Sequence, residues 1–429
     1  MTAAMDLLAD LEARGLVQDS TDREALRSRL RSGSLGVYVG FDPTADSLHV
    51  GHLLGQVTLR RFQLAGHRPF PLAGGATGMV GDPGGRSEER NLLDRDTLDH
   101  NIAGIKVQLE RLLDFEPGPC QATLVDNADW TAPLRLLEFL RDVGKHVTVN
   151  QMVGKESVRH RMEGEHGISY TEFSYMLLQA NDFRWLYEHH DVELQAGGSD
   201  QWGNITAGID LIRRTLGAGA HGFTWPLLTL PGGAKMGKSA GGAVWLDPAK
   251  TSPYQFRQFW VQAADDEIGG FLRRLSLRPR AELDELLAAH EEAPERRGAQ
   301  RALAEELTEL VHGREAARAV EEAASVLFGG DPLAASEEGF AVVRREVGAT
   351  VVPRAALDDP VGLLALTPLA SSNSDARRTL AQRGFQANGQ VIAPDEAVPL
   401  SEQPLIGGRF LLLRRGKTSY HVVECAEPG

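Results

Sequence analysis

Two histidines three residues apart, with a glycine between them, stand in the segment GFDPTADSLHVGHLLG at residues 40–55. Imidazoles at positions i and i+3 of a helical turn lie side by side on one face. A helix start also presents unpaired N–H groups that favour an anion. Ser47 is the expected cap of a helix beginning near Leu48, with Asp46 adding negative charge beside its positive end. His49 and His52 then contribute two further donors, which suits a polyphosphate. Gly51 leaves room for a flat ring such as adenine to lie against the backbone. A metal site would need a third ligand and hydrogen-bonded support behind it. No carboxylate or cysteine stands nearby at ligand spacing, so anion binding is the better reading. Taken alone, the motif fits two surface histidines in a turn better than a ligand site.

A second cationic segment lies far downstream. GGAKMGKSAGG, residues 232–242, carries Lys235 and Lys238 three apart, with Ser239 beside them, in a glycine-rich loop. Such a loop can close over a triphosphate and follow charge building on a leaving pyrophosphate, an interaction that tightens in the transition state. By itself it is a solvated lysine pair. The two segments together are more specific than either.

These residues need a scaffold, and the first half of the chain supplies an α/β pattern. Strands are expected at 35–41, 67–74, 122–126, 192–196 and 223–230, alternating with helical stretches, which points to a parallel sheet covered by helices. Each run ends in a polar, mostly glycine-rich loop: GFDPTADS, GGATGMVGDPGG, DNADW, GGSDQWGN and PGGAKMGKS. Ligands of open α/β sheets bind where such loops converge. Residues 1–247 are therefore expected to form the catalytic domain. Residues 248–330 read as an α-helical domain, strongly negative over 281–330, with 5 basic and 12 acidic side chains. Residues 331–360 read as a linker punctuated by Pro and Gly, and 361–429 as a small α+β domain with 7 basic and 6 acidic residues.

Composition narrows the classes. The chain has 429 residues with 45 basic and 59 acidic side chains, a net charge of −14 that argues against bulk coating of nucleic acid but not against one specific RNA. Cys120 and Cys425 are far apart and suit a reducing compartment. No window resembles a signal peptide or a membrane span, so a soluble cytoplasmic protein is expected.

The HVGH and KMGKS stretches resemble the two signatures of class I aminoacyl-tRNA synthetases. YVGFDPTADSLHVGHL, GGATGMVGDP, SYTEFSYMLLQA and GGSDQWGNI look like the bacterial tyrosyl branch in particular, over almost the whole chain. Val50 replaces the usual isoleucine, and Gly237 stands where the general signature has serine, as is common in that branch. The resemblance implies a Rossmann-like catalytic domain, an anticodon-side helical domain and a small ribosomal-protein-like RNA-binding domain. It implies activation of L-tyrosine with ATP and transfer to tRNA(Tyr), by positioning and charge stabilisation rather than by a nucleophilic side chain.

On this resemblance His49, His52, Lys235, Lys238 and Ser239 hold the phosphates, with Arg86, Arg90 and Thr44 near the pyrophosphate. Gly40, Asp42, Gly51, Gly198, Asp200 and Lys238 surround ATP. Tyr38 and Asp182 meet the phenol hydroxyl, while Asp82, Tyr175, Gln179 and Gln201 serve the rest of tyrosine. Magnesium is expected on the oxygens of ATP, with no resident metal. Arg377, Arg378, Arg383, Arg414, Arg415 and Lys417, with Arg409, are expected to meet tRNA through shape and phosphate contacts. A homodimer is implied, its interface placed from VTVNQMVGKESV to GISYTEFSYM. Two rivals stay open. A tryptophanyl relative would share the fold, and Tyr38 with Asp182 counts against it; an RNA-binding protein without catalysis would have no need of both signatures.

Overall fold

A computed structural model describes residues 6–83, 93–164, 167–229, 236, 242–392 and 400–426. The chain forms two compact units. The first comprises residues 1–251 and 259–311, the second 252–258 and 312–429. The helices expected as one block over 248–330 are thus divided between them.

The first unit is built on five strands: β1 (Gly36–Phe41), β2 (Arg68–Ala73), β3 (Val125–Asp126), β4 (Val192–Gly198) and β5 (His221–Trp225). All pair in parallel, in the order β3-β2-β1-β4-β5. Chain order reverses between β1 and β4, so the crevice beyond their carboxyl ends is the topological switch point. The strands are almost wholly buried and read as continuous apolar runs because helices cover both faces. β5 stops at Trp225 rather than running to 230, since Pro226 has no N–H for the ladder.

One long helix supplies three side chains to this crevice. Tyr170–His190 is capped by the Ser169 hydroxyl, which accepts from Glu172 N, and ends at Asp191 in the left-handed region. Tyr175, Gln179 and Asp182 recur on it at intervals of four and three, so all three lie along one buried stripe.

The second unit holds a mixed sheet of β6 (Ala349–Val352), β7 (Phe385–Ala387), β8 (Gln390–Val391), β9 (Phe410–Arg415) and β10 (Ser419–Cys425), in the order β6-β10-β9-β7-β8. Residues 331–360, expected as a linker, instead supply a helix (Glu337–Val347) and β6, whose β-branched Thr350, Val351 and Val352 pair in parallel with β10. The apolar run in β9 reflects burial on both faces. Leu411 and Leu413 join one core with Phe385, Leu363 and Val423, while Leu412 joins another with Phe340, Val343 and Val422. Among the described residues no helix is long and apolar enough to cross a membrane.

Candidate active site

The HVGH segment is held by the chain that lies beyond the second signature. Val50 N donates to Val244 O (3.0 Å), Leu246 N donates to Leu48 O (2.9 Å), and His49 bridges Trp245. Met236, the second residue of KMGKS, is anchored by its N–H on Leu228 O at 2.8 Å. A Cβ on Gly51 would lie 2.7 Å from Met236 O. The space expected for a flat ring at Gly51 is therefore taken, on that side, by the second signature's own backbone. Lys235, Lys238 and Ser239, with Arg86 and Arg90, lie outside the described residues.

Ser47 does not cap the turn. Its hydroxyl donates to Leu48 O and accepts from Gln108 Nε2 and Asp247 N, because residues 48–50 pair with residues 244–246 and the turn starts only at Val50. The histidines cap it themselves. Gly51 N donates to His49 Nδ1 and His49 N donates to His52 Nδ1, both at 3.1 Å. A ring nitrogen that accepts from a backbone N–H carries no proton, so in each neutral imidazole the proton sits on Nε2. The rings lie side by side, centroids 4.0 Å apart, and both line the crevice. Two N–H donors are thereby fixed at a helix start without either residue needing to be charged.

Deeper in the crevice lie Tyr38, from β1, and Asp182. Asp182 accepts from Trp130 Nε1 at 2.8 Å and from Asn127 Nδ2 at 3.0 Å. Burial pushes its carboxyl up to about 7, although both hydrogen bonds pull the other way. Burial, and then the nearby Asp182 charge, raise the Tyr38 phenol well above its ordinary value. Asn127 also donates to Thr77 Oγ1 and accepts from Ala76 N, which ties Asp182 to the loop after β2. Behind it, Trp130 stacks on Trp185 with centroids 4.2 Å apart and planes 11° from parallel.

Asp42 sits just past β1 and accepts from the Tyr175 hydroxyl at 2.9 Å and from Thr77 Oγ1 at 3.0 Å. Tyr175, expected beside the substrate, thus spends its proton on Asp42. Gln179 lines the same crevice, and its Oε1 is buried with no hydrogen-bond partner among the described residues. Gln201 Nε2 donates to Asp82 Oδ2 at 2.7 Å. Gly40, Thr44, Gly198 and Asp200 complete the rim. A Cβ on Gly198 would strike Leu227 Cδ2 at 2.6 Å and Asp200 Oδ1 at 2.9 Å, so that position admits only glycine without rearrangement. Among the described residues no group of three or more His, Cys, Asp or Glu could hold a metal ion.

Asn127 and Trp130 stand in the DNADW loop, Asn204 in GGSDQWGN and Lys155 in VTVNQMVGKESV, but nothing in those stretches singles them out, and Gln195 stands outside the loops. Gln195 could have been found, because an amide in the buried apolar run of β4 needs a partner; its Oε1 has none among the described residues, and it lines the crevice.

The basic residues of the second unit divide by use. Arg415 donates to both Asp375 oxygens (2.8 and 3.1 Å), to Leu369 O and to Thr379 Oγ1, and its guanidinium covers the Phe385 ring. These bonds, led by Arg415, hold the Asp375 carboxyl far below the usual carboxylate range. Arg378 also donates to Asp375, and Arg409 pairs with Glu424. Arg414 lies over the Tyr420 ring, while Arg377, Arg383 and Lys417 are exposed.

A family profile described as tRNA synthetases class I (W and Y) matches residues 30–329. The chain belongs to that class. Within it the chain is a member of the tyrosine–tRNA ligases, which are aminoacyl-tRNA ligases that use ATP as a substrate. It is 52% identical to the tyrosine–tRNA ligase of Opitutus terrae over 98% of this chain and 100% of that one. It is 47% identical to the tyrosine–tRNA ligase of Roseiflexus castenholzii over 97% and 99% of the two chains. Among solved structures, a C-terminally truncated mitochondrial tyrosyl-tRNA synthetase of Aspergillus nidulans is similar with a TM-score of 0.69 and 33% identity, over 76% of this chain and 94% of that one.

Proposed function

We propose that this crevice activates L-tyrosine with ATP and releases pyrophosphate, and that the tyrosyl group then passes to the terminal adenosine of tRNA(Tyr). The observation that carries the reading is the approach of Met236 to Gly51 above a crevice whose depth holds Tyr38 and Asp182. The Nε2–H groups of His49 and His52 meet the phosphates, where donors fixed in advance stabilise charge as it develops. Lys235, Lys238, Ser239, Arg86 and Arg90 follow the leaving pyrophosphate. Thr44, Gly40, Asp42, Gly198 and Asp200 surround the nucleotide, and magnesium arrives on ATP's own oxygens.

Tyr38 and Asp182 take the phenol hydroxyl. Gln179 Oε1, without a partner among the described residues, and the Asp82 carboxylate accept from the substrate ammonium. No side chain attacks; the substrate's own carboxylate is the nucleophile, and the chain's work is orientation.

The first 247 residues act as the catalytic domain, 248–330 supply the anticodon-side helices, and 361–429 act as the RNA-binding domain together with the helix Glu337–Val347 and β6, which complete its sheet and core. Arg377, Arg383, Arg414 and Lys417 meet tRNA, while Arg415 and Arg378 serve that surface with much of their bonding spent on Asp375. The working form is a cytoplasmic homodimer. Exposed Leu136, Leu137, Val149, Met162 and Tyr170 support this, since apolar side chains exposed in one stretch of chain favour burial against a second copy.

ATP–pyrophosphate exchange measured with each of the twenty amino acids tests the reading. Exchange with tyrosine alone is expected. Exchange driven by tryptophan, or by none of them, overturns it.

A further inference from the structure

Lys155 lies in the turn between the helices Val149–Val153 and Glu156–Glu163, and its side chain is only 7% exposed. A buried lysine is costly unless its charge and its donors are matched. Its Nζ donates to Asn204 Oδ1 at 2.7 Å and lies 4.0 Å from Asp82 Oδ1. Asn204 Nδ2 in turn donates to Gln201 Oε1 at 2.9 Å, and Gln201 Nε2 donates to Asp82 Oδ2 at 2.7 Å. The four side chains close on themselves. Gly203 makes the space: a Cβ there would sit 3.2 Å from Lys155 Cγ.

The direction of these bonds is forced by chemistry. An ammonium group can only donate, and an ionised carboxylate can only accept. With Lys155 at one end and Asp82 at the other, each amide between them has one orientation that satisfies both neighbours. Asn204 must turn its oxygen to Lys155 and its nitrogen to Gln201; Gln201 must then turn its nitrogen to Asp82. If Lys155 is removed, Asp82 still holds the Gln201 nitrogen, but the buried Asn204 oxygen loses its donor and Asp82 Oδ1 loses the cation opposite Gln201.

We propose that Lys155 is a positioning residue for the amino-acid ammonium subsite: it anchors the Asn204 end of the Asn204–Gln201–Asp82 chain and faces Asp82 Oδ1, and from both sides it fixes the placement of the Asp82 carboxylate. This rests on the assignment of Asp82 to the substrate ammonium. Lys155 touches no substrate in this scheme. Its effect is confined to ligands that carry the ammonium group, which separates positioning from a general contribution to folding.

The test compares the binding of L-tyrosine and of 3-(4-hydroxyphenyl)propanoate, which lacks the amino group, by titration calorimetry on the full chain and on Lys155→Met. A tenfold loss for L-tyrosine with a change under twofold for the desamino acid is expected, with ATP affinity unchanged. Equal loss for both ligands shows a structural role and overturns the proposal, as does no loss for either. Tighter L-tyrosine binding also overturns it, because relief of like-charge repulsion would then be the larger effect. Asn204→Ser opens the same set of bonds from its other side and should give the same ligand selectivity; equal loss for both ligands there counts against the proposal even if Lys155→Met does not fold. A parent chain that binds the two ligands equally well removes the ammonium subsite itself, and with it the functional reading rather than the role of Lys155 alone.

Discussion

The α-carbon of Gly51 faces the carbonyl of Met236 so closely that a single methyl group placed between them would lie 2.7 Å from the oxygen. Two signatures about 185 residues apart in sequence thus meet at the Gly51 α-carbon, where the His49 ring also stands 2.9 Å from the position a Cβ would take. Gly51→Ala should push the KMGKS segment away from the histidines. Pyrophosphate exchange is expected to fall at least tenfold while L-tyrosine affinity stays within twofold, measured by exchange kinetics and by equilibrium binding.

Asp182→Ala should act on the amino acid and not on the nucleotide. The change leaves the Trp130 and Asn127 donors without their acceptor, and an orphaned buried group costs about 1–3 kcal/mol. In the proposed role of Asp182, the substrate phenol loses a partner as well. We expect kcat/KM for tyrosine to fall at least about a hundredfold, with the KM for ATP nearly unchanged. Equal tyrosine activation in variant and parent would refute the assigned role.

The same carboxyl makes stability depend on pH. Burial raises Asp182 to about 7 in the folded chain, above the value near 3.9 of an unfolded aspartate. The folded chain keeps the proton longer, so this contribution to stability is present at low pH and is lost as pH rises through 7. Between pH 5 and 8 the parent should lose about 2–3 kcal/mol relative to Asp182→Asn, which cannot ionise. Urea unfolding of both proteins at the two pH values measures it; a pH-independent difference would show that Asp182 titrates as an ordinary carboxyl.

Neighbouring arginines in β9 should give opposite phenotypes. Arg415 is bound to Asp375, Leu369 and Thr379 within its own unit, so Arg415→Met should lower the melting temperature. Arg414 lies against Tyr420 at the surface, and Arg414→Ala together with Lys417→Ala should leave melting and pyrophosphate exchange unchanged while aminoacylation of tRNA slows several-fold.

Much of the sheet is legible in the sequence because both ends of each strand are punctuated. Apolar runs ending in Gly- and Asp-rich loops place four of the five strands of the first unit to within a few residues, and the fifth, β5, is cut short by Pro226. The stretch 331–360 reads as a connector because β6 is only four residues long, and its pairing with β10 joins positions about 70 apart that no local pattern links. In the crevice, the residues on the helical stripe and at the strand ends follow from the family resemblance, while spacing alone puts Tyr175 and Gln179 on one helical face. What holds them follows from neither. Asn127 and Trp130 support Asp182 from across 52 to 55 residues of chain, and Lys155 reaches Asn204 across 49. Likewise the expected Ser47 cap fails because residues 244–246 impose extended backbone on that segment.

The stacked indoles of Trp130 and Trp185 have an optical consequence. Nearly parallel chromophores at this separation couple their electronic transitions, and one of them donates a hydrogen bond to the Asp182 carboxylate. A phenol arriving beside that carboxylate alters the local field on one member of the pair only. Near-ultraviolet circular dichroism should therefore register occupancy directly, with no label attached.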